Sequence, residues 1–442
     1  MREIISLFIG QAGCQIGKSV WELLTQEHGI GPDGKPSSEA VVDDSFSSLF
    51  SEVEVNRYVP RSLFIDLEPS VIDGITSGKY RDLFLPDQMV TGKEDAAGVY
   101  ARGNYGLGEE IIDDVLCATS NLVERSDSIQ GFMVFHSLGG GTGSGFTSLL
   151  MERLSSEYDS KAKVAFSVLP TPSSMRSTAV EPYNAVLAAS AMLEHVDANF
   201  LLDNKSLFKI CSKNLRIRRP SFTNVNGLIA QVVSSITAPL RLPGTLKKDL
   251  NEFQASLVAY PRLHFPLVSF SPLSFYGRRN TVEKITSDLF DQRSLMVECD
   301  AKSGKNMAVR LLYRGDVTAE NVNDAISKLK MGKKIGFVDW MPHELKYGIN
   351  AQPILNGDLG PVSRAVCMLA NTTAMKEIWG RLIEKFDRLF NERAFLHWFH
   401  EDGTDDLEFW EARDNLGYLE AEYEEAAEEW YDGNDQSFPI DC

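Results

Sequence analysis

Seven residues carry the clearest chemistry in this chain of 442: Gly139-Gly140-Gly141-Thr142-Gly143-Ser144-Gly145. An apolar run, Phe132 to Leu138, precedes them and reads as a buried strand. Phe146 to Leu154 follows and reads as a helix. Glycines at such a junction let backbone N–H groups approach a ligand closely. Those amides and the helix N-terminus are partly positive, so the natural guest is a phosphate. No lysine follows, which excludes the Walker pattern; backbone, hydroxyls and a metal must offset the charge. A flexible linker is the competing explanation, but linkers seldom separate a buried strand from an amphipathic helix.

Three further groupings could do chemistry. Arg61 to Pro69 reads as a strand ending in Asp66 and Glu68. Carboxylates there face the crevice where α/β proteins bind ligands and could hold Mg²⁺ against a phosphate; capping the next helix would explain them as well. Phe222 and Asn226 stand one helical turn apart and could stack on and pair with a base, or else serve core packing and capping. Asp249 and Glu252, three apart, lie off the apolar stripe Leu246, Leu250, Phe253 and Leu257. They form a solvated acidic face or one that meets a partner. Gly10-Gln11-Ala12-Gly13 makes another strand-to-helix turn, of a kind that serves packing as often as ligands.

The elements that must position these residues alternate along the chain. Strand-like runs at 3–9, 61–69, 132–138, 164–169 and 199–202, separated by helical segments, predict a doubly wound parallel sheet with its ligand loops on one edge. We assign residues 1–205 to that domain and 206–242 to a connecting segment and a long apolar central helix opening at Phe222. Residues 243–371 form a second, mixed α/β domain, with a helix beginning at Gly244-Thr245 and strands at 264–270, 307–313, 335–338 and 364–369. Residues 372–430 form a C-terminal helical hairpin, and 431–442 a disordered acidic tail.

Of the net charge of −18, residues 401–442 contribute −15, from sixteen Asp and Glu against one Arg. That disfavours nucleic acid and favours basic proteins on the C-terminal face. Six scattered cysteines without a CxxC pair argue against a disulfide framework or zinc site and for a reducing compartment. No apolar run is long enough to span a bilayer, and the N-terminus lacks a signal-peptide layout.

Over nearly its whole length the chain resembles the tubulin family. The glycine loop at 139–145 is the family signature. Gly10-Gln11-Ala12-Gly13, Asp66-Leu67-Glu68-Pro69, Glu181-Pro182-Tyr183-Asn184, Phe337-Val338-Asp339-Trp340 and Arg393 to Trp398 support it. His136-Ser137, Asp249 to Gln254 and the extended loop 352–360 resemble the alpha rather than the beta subunit. The resemblance implies that Gln11, Ser137, Gly141 and Thr142 contact GTP phosphates within the phosphate loop that Gly139, Gly140, Gly143, Ser144 and Gly145 complete. It implies Glu68 beside Mg²⁺, Ser177 near the ribose, Asn204 and Asn226 on guanine, and Phe222 stacked on it. This GTP would be buried against beta-tubulin, neither exchanged nor hydrolysed. Glu252 would be the catalytic carboxylate, promoting hydrolysis on the next beta subunit. Other tubulin dimers, and motors and associated proteins on the acidic face, are the implied partners, in the microtubules of cytoplasm or cilium.

Several residues depart from the family pattern. Gly98 replaces a usual Asn. Ser274 to Thr281 shortens a lateral-contact loop. Glu39 lies near a usual acetylatable lysine, Asp441-Cys442 ends the tail without tyrosine, and Pro239 falls in the last turn of the central helix. A self-contained GTPase hydrolysing its own nucleotide is the main alternative function. A dinucleotide oxidoreductase ranks far behind, for the first turn lacks Gly-x-Gly-x-x-Gly.

Overall fold

Five strands buried on both faces can be covered only by helices on both sides, and a parallel order follows. The computed structural model describes residues 3–36, 44–170, 178–245, 249–273, 281–332, 335–342, 345–354 and 362–428. Twelve strands occur among them: β1 Glu3–Ile9, β2 Phe50–Glu54, β3 Arg57–Pro60, β4 Ser62–Asp66, β5 Met89–Thr91, β6 Ile129–Ser137, β7 Ala162–Leu169, β8 Ala198–Asp203, β9 Leu267–Ser271, β10 Asn306–Gly315, β11 Leu345–Asn350 and β12 Arg364–Thr372.

The first sheet runs β5-β4-β1-β6-β7-β8, every pair parallel. A row of phenylalanines crosses it: Phe64 stacks on Phe8 at 5.0 Å, Phe8 on Phe135 at 4.7 Å, and Phe135 on Phe166 at 4.6 Å, with Phe200 beyond. One ring per strand at one level pins the register, because a slip of one residue would turn each ring to the other face. The C-terminal ends of the strands are therefore level, and Gly10, Asp66, Ser137 and Asp203 share one rim. The helix Gly10–Glu27 covers the ring row so closely that a Cβ on Gly17 would stand 2.6 Å from Phe8.

The second sheet, β11-β10-β12-β9, is mixed: β10 and β11 are parallel and the other pairs antiparallel. The central helix Phe222–Arg241 lies between the two sheets, buried along most of its length as its apolar circumference requires. Its end is riveted by charge. Glu27 accepts from Arg241 at 2.5 Å and from Arg314 of β10 at 2.9 Å, and Ser234 bonds all three. The helices Lys376–Asn391 and Asp406–Ala427 pack against the outside of the helix Glu181–His195.

Two sequence expectations need correction. The helix expected from Gly244 begins at Leu250, with Asp249 at its cap, and residues 246–248 lie outside the described set. Residues 335–338 form no strand, only a bridge from Phe337 to Asn306. The edge strand there is β11, whose Lys346 and Gly348 hide its pattern. The tail, Glu39, Ser177, the loop 274–280 and most of the loop 352–360 lie outside the described residues.

Candidate functional site

The sheet order reverses between β1 and β6, so the loops after those strands open a crevice at the rim. Gly10 follows β1 with φ +71°, a left-handed conformation that suits glycine, and a Cβ there would stand 3.2 Å from the Gly143 nitrogen. A Cβ on Gly143 would come within 2.7 Å of the Ser137 carbonyl, so neither glycine has room for a side chain. From Thr142 to Phe146 the chain makes a π-helical turn that leads into the helix Thr147–Glu157. The opening amides of a helix have no partner within it, so those at Gly141 to Gly143 are offered to a ligand. Such turns recur at functional sites.

Three buried side chains that the sequence reading did not assign hold this loop. His136 bonds the Gly143 carbonyl through Nδ1 at 2.7 Å and Ser167 Oγ through Nε2 at 2.7 Å. Burial lowers its pKa to about 4. The neutral ring therefore donates to the carbonyl and accepts from the hydroxyl. Asn184 donates to the carbonyls of Gly98 (2.7 Å) and Gly139 (2.8 Å) and accepts from the Tyr100 amide (2.9 Å), tying two rim loops together. Asn104 donates to the Gly145 carbonyl at 3.1 Å. Ser144 Oγ returns to the Gly140 carbonyl. A polar residue in an apolar run, as His136 is, was the available signal.

The predicted residues gather as follows. Gln11 is exposed in the first turn after Gly10, and Thr142 is buried in the π turn. Ser137 Oγ accepts from the Gly139 amide at 3.2 Å, shaping the loop's entry. Asp66 ends β4 with Oδ2 lacking any hydrogen-bond partner, and burial, with Glu68 and Asp95 nearby, raises its carboxyl to about 7. Glu68 accepts from Ser70 Oγ at 2.5 Å. Neither acid caps the helix Ser70–Thr76, whose cap position is Pro69, so the capping explanation falls. An unsatisfied buried carboxylate oxygen beside a second acid suits a divalent cation that takes its remaining ligands from phosphate and water. No cluster of three or more potential metal ligands occurs among the described residues.

At the other end of the rim, Asn204 opens the helix Asn204–Lys209, and Asp203 caps it by accepting from the Lys205 amide. Phe222 is 51% exposed, its edge against Phe208 at 5.3 Å, and Asn226 lies beneath it in the helix. The core-and-cap explanation for this pair also falls: the ring is not core, and Ser221 with Asn224 does the capping. Glu252 is elsewhere. Its helix is anchored to Gln130, which accepts from the Leu250 amide at 3.2 Å and donates to Asp249 at 3.3 Å. Gln130 and Ser137 are seven residues apart on β6, about 23 Å at 3.3 Å per residue. Glu252 is exposed at the opposite end of the sheet from the glycine loop.

Fold and rim define a class, an α/β nucleotide-binding protein whose phosphate loop carries no lysine. The Tubulin/FtsZ family GTPase domain model matches residues 3–212, and the Tubulin C-terminal domain model matches 261–384. The chain is 51% identical over 443 residues to the tubulin alpha chain of Pneumocystis carinii, covering 98% of each. It is 51% identical over 444 residues to the tubulin alpha-2 chain of Caenorhabditis elegans, covering 99% of each. This chain belongs to the tubulin family, with a GTP-binding domain at its N-terminal end and its likeness to alpha chains.

Proposed function

We propose that this chain is an alpha-type microtubule subunit. It holds GTP at its rim, pairs there with a beta subunit, and presents Glu252 to the nucleotide of the next beta subunit along the filament. The observation that carries the reading is the separation within one sheet: glycine loop at the C-terminal rim, Glu252 beyond the N-terminal end. A carboxylate so placed cannot reach the nucleotide of its own chain. It reaches one only across a head-to-tail contact, the heterologous kind that builds open filaments.

In this reading Gln11 and the amides of Gly141 to Gly143 hold the phosphates, Ser137 shapes the loop, and Ser177 lies near the ribose. Phe222 stacks on the base, and Asn204 and Asn226 pair with it. Asp66 and Glu68 would hold Mg²⁺, which supplies charge neutralisation at the phosphates. Glu252 orients and deprotonates the attacking water on the neighbour, so hydrolysis waits for assembly. The acidic outer helices offer motors and associated proteins a cation-binding face in the cytoplasmic cytoskeleton. A self-contained GTPase hydrolysing its own nucleotide is the competing reading.

The test is GTP turnover in filaments assembled with Glu252→Ala. Turnover should fall by about 100-fold or more, the range for loss of a general base, and thermal unfolding of the variant separates that loss from any effect of removing the charge near buried Arg310. Unchanged turnover would sink the assignment. Nucleotide recovered from the purified subunit as intact, slowly exchanging GTP supports the reading, whereas GDP in rapid exchange supports the self-contained enzyme.

A further inference from the structure

In a chain of net charge −18, residues 205–219 hold six lysines and arginines and no acid. All six side chains are exposed. Lys205 and Lys209 share Glu298. Among the described residues, Lys213, Arg216, Arg218 and Arg219 have no carboxylate within ion-pair distance, nor has Arg293 across from them. The Asn214 amide donates to the Arg293 carbonyl at 2.9 Å beside an open cavity of about 430 Å³ lined by Ser206, Lys209, Lys213, Asn214, Arg293 and Glu298. The basic segment runs from the helix of Asn204 to Phe222, so it borders the base end of the rim. The glycine loop follows β6 and the segment follows β8, two strands away or about 10 Å.

We infer that this cationic segment and its cavity receive an acidic segment of the partner subunit that covers the nucleotide face. The inference rests on the reading above, in which a subunit docks on this rim. Uncompensated like charges on one edge repel each other and gain most when met by opposite charge. Complementary charge at an interface chooses partners and speeds encounter. This subunit therefore selects, among beta subunits, one bearing carboxylates opposite Arg216, Arg218 and the Lys213–Arg293 cavity.

The test measures heterodimer dissociation by sedimentation at about 50 and about 300 mM salt, a range over which screening changes strongly. Wild type should weaken as salt rises. Arg216→Glu with Arg218→Glu should weaken the pair by about tenfold or more at low salt and flatten the salt dependence. Arg216→Lys with Arg218→Lys should bind as wild type does. Bound GTP, measured in each variant, confirms an intact rim. The inference is overturned if the reversed pair binds as tightly as wild type, or if the lysine pair loses as much as the glutamate pair. If the wild-type chain takes no partner, the proposed function falls with it; if it pairs and the reversal changes nothing, only this inference falls.

Discussion

Asn184 is the strongest single test of how the rim is built. Its amide makes three bonds: two donated to the carbonyls of Gly98 and Gly139, one accepted from the Tyr100 amide. The side chain is fully buried. Asn184→Ala leaves all three backbone groups without that partner. A buried donor left unsatisfied costs about 1–3 kcal/mol, and each lost bond about 1 kcal/mol more, so the loss should be roughly 3–5 kcal/mol. Much of it is local, for the bonds join the glycine loop to the loop at 98–100 rather than hold the core. Asn184→Asp is nearly isosteric and separates shape from bonding. It keeps an acceptor for Tyr100 but sets a carboxylate against two carbonyl oxygens, and should be at least as harmful as alanine. The assay is GTP retained after gel filtration, alongside thermal unfolding. Both variants should lose nucleotide and melt earlier. If Asn184→Ala keeps its GTP and its melting temperature, the amide does not hold the loop, and if the aspartate variant outperforms alanine, shape rather than hydrogen bonding is at work.

Two further outcomes follow from buried charge. His136 has its pKa held at about 4 against 6.5 in an open chain. The stability of its neutral form is complete above 6.5 and is lost as pH falls toward 4, about 2 kcal/mol by pH 5. Asp66 and Glu181, raised by burial to about 7, act in the opposite sense. The check is therefore stability of wild type minus that of His136→Gln between pH 7 and 5; a difference that stays flat refutes the neutral buried ring. Glu27→Gln should strand Arg241 and Arg314 and cost about 3–5 kcal/mol, seen as a melting temperature roughly 3–5 °C lower for a chain of this size, while replacing all three residues by methionine should recover most of it.

The sequence made the scaffold legible where residue type and environment agree. The apolar runs of β1, β6 and β7, fully or nearly buried, read as strands, and the continuous apolar circumference of Phe222–Arg241 reads as a helix between layers. The glycine loop was legible because few environments need so many missing side chains at a strand end. β11 was not: Lys346 and Gly348 break its alternation, and its place is set by pairing with β10. The opening of the helix at Leu250 was hidden as well, since the partner of its first amide, Gln130, lies 120 residues earlier. His136, Asn184 and the Glu27 cluster were hidden for a common reason. Polar residues are ordinarily at the surface, and partners such as Gly139 or Arg314 become neighbours only after folding. At Gly98, φ is +73°, a region that glycine enters freely and asparagine tolerates, so the backbone there suits either residue.

A parallel sheet is a directional object, and here the direction has chemical content. One end carries the cradle and the other the acid, so two copies placed nose to tail never present the same face twice. Any row that repeats this arrangement has a front and a back, so a joining subunit meets a different surface at each end.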